Sequence, residues 1–299
     1  MTLAPLRLAL ISEGMATTWP VYVAQSLGMF ESEGLAVDVT VTGSSVKQLD
    51  ALKRGGYDIA FQQADHVVRA VEQGSDLFIF MSTARPPELT FVAVPDVESF
   101  AGLKGRVIAV DGARTGYALL LRKLLASKGL DDGSYRFAET GGSRERYDVL
   151  RSGKAAASLL NSPFDRNLLA SGYNSLGTTS QYFPRYPGPI AAARRSWAAA
   201  HGTALCGFVR AMYSACEWLR VAQNRDAAIA MLPDRLHADA AVAHKAFAQF
   251  AAHPVPEITD EELEQVVSVV WDAEQYAQPR GMPARYADWS YVPSASISG

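Results

Sequence analysis

The chain has 299 residues, 28 Lys+Arg against 31 Asp+Glu, a net charge of −3, 48% hydrophobic residues and two cysteines. Its length is about twice that of a usual single domain, so two lobes are expected, and its apolar share is enough to build real cores. The slightly acidic balance excludes nucleic-acid binding through a basic face, no apolar run reaches the ~18–20 residues that cross a bilayer, and no internal repeat or low-complexity tract stands out.

The opening Met1-Thr-Leu-Ala-Pro5 runs straight into a strand at 6–11, with no basic segment or long apolar segment before it. The expectation is therefore a cytoplasmic protein, or a periplasmic one whose leader has been replaced by Met. A helix is predicted over 19–33, with Pro20 at its first position and Gly34 beyond its end. Strand 35–41, helix 45–54, strand 58–61, helix 64–73 and strand 77–81 follow. A second α/β series begins near 91–95. It continues with strand 106–110, helix 115–128, strand 135–138, helix 143–151, strand 155–160 and a helix opened by Pro163. Beyond about residue 195 the pattern is helical. The stretch 203–221 keeps an apolar face through Leu205, Phe208, Val209, Met212, Cys216 and Leu219. Cys206 and Cys216 lie about 15 Å apart along that helix, too far to form a disulfide. Thr259-Asp-Glu-Glu262 has capping-box spacing and opens a helix to about Gln278, followed by an irregular Pro- and Gly-rich tail.

Four blocks in order resemble the NMT1/THI5-like and sulfonate/nitrate/taurine-type periplasmic binding proteins. Pro20-Val-Tyr22-Val-Ala24 through Gly28-Met-Phe30 and Gly34-Leu-Ala-Val37 is similar to that family's first helix and second strand. Gly55-Gly-Tyr57-Asp58-Ile-Ala60, Leu103-Lys-Gly105-Arg-Val-Ile-Ala109-Val and Leu150-Arg-Ser-Gly153 through Asn161-Ser-Pro163 are similar to three later blocks. In the last block Ala156 or Ala157 stands where the family usually carries Asp. The resemblance implies a type 2 periplasmic-binding-protein fold, with two α/β lobes joined by two crossover strands and a ligand cleft between them. It puts residues 1–92 plus 190–299 in the first lobe and 93–189 in the second. Hinge closure on the ligand is then the expected conformational event.

Open α/β sheets bind ligands beyond the C-terminal ends of their strands, which nominates five loops. Ser12, Met15 and Trp19 follow the first strand, and Ser44 opens a helix after the second. Gln62, Gln63, Asp65 and His66 form the most polar stretch, and Arg85 follows the strand at 77–81. Arg114, Thr115, Gly116 and Tyr117 lie in a Gly-containing turn that suits a carboxylate, sulfonate or phosphate: backbone N–H groups and a guanidinium both favour an anion. Asn161, Phe164 and Tyr182 offer a polar edge and an aromatic wall. Each of these residues also has a plain structural reading, as a cap, a core aromatic or a solvated charge.

The expected function is to bind a small organic anion or heterocycle as the monomeric solute-binding component of an ABC importer. An ABC permease would be the partner, with no metal, no cofactor and no nucleic acid. No His-Glu-x-x-His, Cys-x-x-Cys, Walker A or Gly-x-Ser-x-Gly pattern is present. The alternative is a cytoplasmic decarboxylase or lyase on the same fold. There His66 and Asp65 would transfer a proton while Arg114 holds the acid.

Overall fold

Strand β1, Ala4–Leu10, alternates Leu6, Leu8 and Leu10 on a buried face with Arg7 on the other. Arg7 donates from Nε (3.1 Å) and Nη2 (2.6 Å) to the Asp58 carboxylate, which also accepts the Arg7 main-chain N–H at 2.9 Å. This forked, charge-assisted contact explains the Asp of the Gly-Gly-Tyr-Asp-Ile-Ala block: it locks β3, Ile59–Gln62, against β1. The structure is a computed structural model describing residues 2–11, 15–86, 88–231, 243–244, 247–248 and 258–293, with side chains in the first helix from residue 18 onward.

The chain forms two compact units. Unit 1 comprises the described residues of Met1–Arg85, Pro187–Asp260 and Gly281–Gly299; unit 2 comprises those of Pro86–Tyr186 and Glu261–Arg280. Residues 261–280 thus pack with unit 2, not with the lobe to which the sequence pattern assigned them. Among the described residues no helix is long and apolar enough to cross a membrane.

In unit 1 the order along the chain is β1, α1 (Met15–Ser26), α2 (Met29–Ser32), β2 (Leu35–Val41), α3 (Ser45–Lys53), β3, α4 (Ala64–Glu72) and β4 (Leu77–Ser82). The single helix expected over 19–33 is instead two. It starts earlier, takes Pro20 inside, and breaks at Gly28, which turns left-handed at φ 66°. Unit 2 holds β5 (Thr90–Ala93), β6 (Val107–Val110), α5 (Gly116–Ser127), β7 (Arg136–Glu139), α6 (Ser143–Arg151) and β8 (Ala157–Leu160). It continues with α7 (Phe164–Leu169), β9 (Asn174–Thr178) and α8 (Thr179–Tyr182). The chain returns to unit 1 through β10 (Ile190–Arg194), α9 (Arg195–Ala200), α10 (Gly202–Arg220) and α11 (Arg225–Ala230), and α12 spans Asp260–Glu274.

The unit 1 sheet runs β2-β1-β3-β10-β4 and the unit 2 sheet β7-β6-β8-β5-β9. In each, the strand made just after the chain enters or re-enters the unit is antiparallel to both its neighbours: β5 in unit 2 and β10 in unit 1. Strands β9 and β10 escape the sequence pattern, because Asn-Ser-Leu-Gly-Thr and Ile-Ala-Ala-Ala-Arg carry one β-branched residue each and no aromatic one.

Helix α10 seals the unit 1 core. Phe208 stacks on Phe30 at 5.6 Å and meets the edges of Phe61 and Phe80 at 6.5 and 6.4 Å. Unit 2 has its own core around Phe91, Ile108, Leu121, Leu125 and Ala157. Both cysteines are free, and burial, aided by Glu217, pushes the Cys216 thiol up to about 12.

Candidate functional site

In both units the edge strand beside β1 or β6 ends in the same turn. After β2 comes Thr42-Gly43-Ser44-Ser45, and after β7 comes Thr140-Gly141-Gly142-Ser143. Thr42 N–H donates to the Leu10 carbonyl and Thr140 N–H to the Val110 carbonyl, both at 2.9 Å. Gly43 and Gly141 then adopt φ 66° and 91°, a conformation that suits only glycine, and α3 and α6 begin. The two units therefore share a repeated element that the sequence did not betray as a repeat.

At the strand edge of unit 1 the turn leads to a buried polar chain. Ser44 caps α3 by accepting the Lys47 N–H at 3.3 Å. Gln62, fully buried at the end of β3, donates from Nε2 to the Ser45 carbonyl at 2.9 Å and to Gln48 Oε1 at 2.6 Å. His66 Nδ1 lies 2.8 Å from Gln62 Oε1. Asp65, also buried, accepts from Arg69 Nη1 at 2.8 Å, one helical turn along α4. Gln63 precedes α4 without capping it through its side chain. Thr83, beyond β4, is buried, its N–H donating to the Pro189 carbonyl at 2.9 Å and its hydroxyl lacking a partner among the described residues. Arg85 is exposed.

Trp19 belongs elsewhere. It is fully buried, its indole N–H donates to the Ala228 carbonyl at 3.2 Å, and its ring meets Phe247 edge-on at 6.1 Å. It is a core residue, not an aromatic wall offered to a ligand. Ser12, and the side chain of Met15, lie outside the described residues.

At the strand edge of unit 2, Thr115 caps α5. Its Oγ1 accepts from the Ala118 N–H and lies 2.8 Å from Asp111 Oδ1. Gly116 opens the helix and is buried. Tyr117 packs on Tyr186 at 5.7 Å. Arg114, expected to hold the ligand's charge, is hydrogen-bonded to Glu274 of α12, which pushes its guanidinium further above the ordinary value. The same helix is tied down by Lys123–Asp272 at 2.8 Å and Arg185–Glu261 at 2.7 Å. Along α5 and α12 a groove of about 650 Å³ is lined by Arg114, Glu274, Lys123 and Asp272, with Arg122 and Asp132.

Arg146 is the cation that sequence reasoning missed. It is 8% exposed and sits in the first turns of α6. Its Nη1 donates to the Gly141 carbonyl at 2.7 Å, Nη2 to Ser143 Oγ at 3.0 Å, and Nε to the Leu159 carbonyl at 3.3 Å. All three acceptors are neutral. Burial lowers its pKa, and the nearby Asp111 and Glu145 oppose that shift. The guanidinium spans the loop after β7 and the strand β8, beside the Asp111–Thr115 turn after β6. That is the edge at which such sheets take ligands.

Asn161 is exposed just past β8. Phe164 packs against Tyr147 at 5.3 Å. The Tyr182 hydroxyl donates to the Leu176 carbonyl at 2.6 Å, and its ring meets Phe100 edge-on. The structure thus gathers Ser44, Gln62, Asp65 and His66 at one edge and Thr115 and Gly116 at another. It sends Trp19, Phe164 and Tyr182 into packing roles. No cluster of three or more His, Cys, Asp or Glu side chains suited to a metal occurs among the described residues.

This architecture has known counterparts. The family described as NMT1/THI5 like matches residues 16–225, and the chain belongs to that family. Its fold is the type 2 periplasmic-binding-protein fold. The putative binding protein YtlA of Bacillus subtilis is 38% identical over 101 residues, a match spanning 32% of this chain and 30% of that relative. Two solved structures overlay on nearly the whole chain. The alkanesulfonate-binding protein SsuA from Xanthomonas axonopodis bound to MOPS has a TM-score of 0.72 and 17% identity, covering 97% of this chain and 100% of that one. The periplasmic aliphatic sulphonate-binding protein SsuA from Escherichia coli has a TM-score of 0.72 and 18% identity, covering 94% and 97%.

Proposed function

We propose that this protein captures a small organic anion, of the sulfonate or aromatic-carboxylate type, outside the cytoplasmic membrane and delivers it to an ABC permease. Family membership across residues 16–225 is the observation that carries this reading. The chemistry of the strand edges supports it. Unit 2 supplies a buried guanidinium, Arg146, held by neutral acceptors, together with the capped start of α5. Unit 1 supplies amide, imidazole and hydroxyl groups, its Asp65 charge being balanced by Arg69. The Arg146 guanidinium suits the anionic end of such a ligand.

The test is a thermal-shift screen of alkanesulfonates, aromatic carboxylates and pyrimidines, followed by calorimetry. A ligand that binds the folded state raises Tm by mass action. The reading expects at least one anion to do so and to be recovered unchanged after incubation. A screen in which no anion shifts Tm, or in which the bound acid is consumed, would overturn it.

A further inference from the structure

We infer that Gln62 is a positioning residue that fixes the tautomer of His66, so that His66 offers a bare ring nitrogen to an N–H or O–H group of the ligand. The starting point is the Ser45 main-chain carbonyl, which can only accept. Gln62 Nε2 lies 2.9 Å from it and 2.6 Å from Gln48 Oε1. With its nitrogen held there, the Gln62 amide must turn its oxygen toward His66 Nδ1, 2.8 Å away. An amide oxygen has no proton to give, so Nδ1 carries the hydrogen and the neutral ring keeps its lone pair on Nε2. Reversing the amide would set its oxygen 2.9 Å from the Ser45 carbonyl oxygen at a residue that is 0% exposed, where no water relieves the clash.

The competing anchor for the imidazole is Asp65. Its Oδ2 stands 3.8 Å from His66 Nε2, outside hydrogen-bond reach, and already accepts from Arg69 at 2.8 Å. The shorter contact therefore decides the tautomer. His66 keeps 16% of its side chain exposed, at the strand edge where a ligand arrives. Beside it, Gln48 Nε2 and Asp65 Oδ1 are buried polar atoms with no hydrogen-bond partner among the described residues. The ligand implied is an anion that also carries a hydrogen-bond donor, such as an amino or hydroxyl group. This half of the inference rests on the proposed function; the tautomer does not.

Two measurements on the full chain separate the halves. Long-range proton–nitrogen NMR at about pH 8, above the ordinary imidazole value of about 6.5, reports each ring nitrogen of His66, whose signals are assigned by their loss in His66→Gln. Protonated Nδ1 and bare Nε2 are expected in the wild-type protein, with the proton moving toward Nε2 in Gln62→Met. A wild-type spectrum showing Nε2–H, or both nitrogens protonated, would overturn the tautomer whatever Gln62→Met shows. Calorimetry then compares 2-hydroxyethanesulfonate with ethanesulfonate and 4-aminobenzoate with benzoate. The donor-bearing member of a pair should bind about tenfold tighter, roughly the worth of one good hydrogen bond, and His66→Phe should erase the difference. Equal affinity within the pairs overturns the donor requirement alone. Binding of none of the four overturns the ligand assignment and counts against the anion-capture reading, while the NMR result stands.

Discussion

Arg146 stands in unit 2 where Gln48 stands in unit 1. Each lies three residues beyond the serine that closes a Thr-Gly-x-Ser turn, and each is buried in the first turns of its helix. Each also reaches the central strand of its sheet: Gln48 meets Gln62 of β3, and Arg146 meets Leu159 of β8. One element thus carries an amide in one unit and a guanidinium in the other, which divides the labour between an uncharged and a charged edge.

Converting Arg146 to the unit 1 residue tests that division. Arg146→Gln should weaken binding of an anionic ligand by at least about tenfold, ~1.4 kcal/mol. It should also lower stability by about 1–3 kcal/mol, because the Gly141 and Leu159 carbonyls lose their donors. Arg146→Lys keeps the charge but not the fork, and should recover part of the affinity. A folded Arg146→Gln protein with wild-type anion affinity would remove Arg146 from the ligand's surroundings.

Glu274 decides what Arg114 can do. Their ion pair is largely solvent-exposed on the arginine side, so breaking it should change stability by no more than about 1 kcal/mol. Glu274→Gln leaves Arg114 without its charge partner from α12. If Arg114 grips the ligand, affinity for a sulfonate should rise several-fold in calorimetry at low salt. An unchanged Kd would assign Arg114 to docking α12 onto α5, alongside Lys123–Asp272.

Trp19→Phe separates packing from binding. The ring is enclosed and its N–H is spent on Ala228, so the substitution should cost about 1–3 kcal/mol in denaturant unfolding through the orphaned carbonyl and the lost volume. Ligand affinity should stay within about twofold of wild type. A large loss of affinity at unchanged stability would show that the indole faces the ligand after all.

The two thiols should behave differently. Burial holds the Cys216 proton up to about 12, so in the native protein a thiol reagent at about pH 8 should modify Cys206 and spare Cys216, and after denaturation it should modify both. The linkage sign follows. Between the ordinary thiol value, about 8.5, and about 12, the unfolded chain releases a proton that the native one retains, so stability falls as pH rises through that window. Cys216→Ala should flatten that fall. Rapid native labelling of Cys216 would contradict the burial.

Local signals carried much of the architecture. Strand β2 and helix α6 have the bounds that Leu-Ala-Val-Asp-Val-Thr-Val and the 143–151 pattern suggested, since alternation and flanking glycines are written in neighbouring residues. The Ala-rich β10 was invisible, because its strand character comes from lying between β3 and β4, not from its own side chains. The site suffered from the same blindness to distance. Arg114 looked available because Glu274 lies 160 positions along the chain. Trp19 looked ligand-facing because its acceptor lies 209 positions away. Arg146 lies within the helix expected over 143–151, and nothing in that local pattern shows that its charge is buried. Gln62 and His66 were picked out by their unusual chemistry, and that chemistry is what the fold assembles.

The placement of β10 constrains how the chain is made. Among the named strands of the unit 1 sheet β4 adjoins β10 alone, and β10 emerges from the ribosome after Pro86–Tyr186, the first stretch of unit 2. A nascent chain stalled before residue 190 would hold β1, β2 and β3 as a three-stranded nucleus, while the apolar Leu-Phe-Ile-Phe-Met segment of β4 waits unpaired. Completion of the unit 1 sheet is thus deferred until Pro86–Tyr186 of unit 2 has been synthesised, and a chaperone that shields that one hydrophobic segment meanwhile would protect the step most exposed to aggregation.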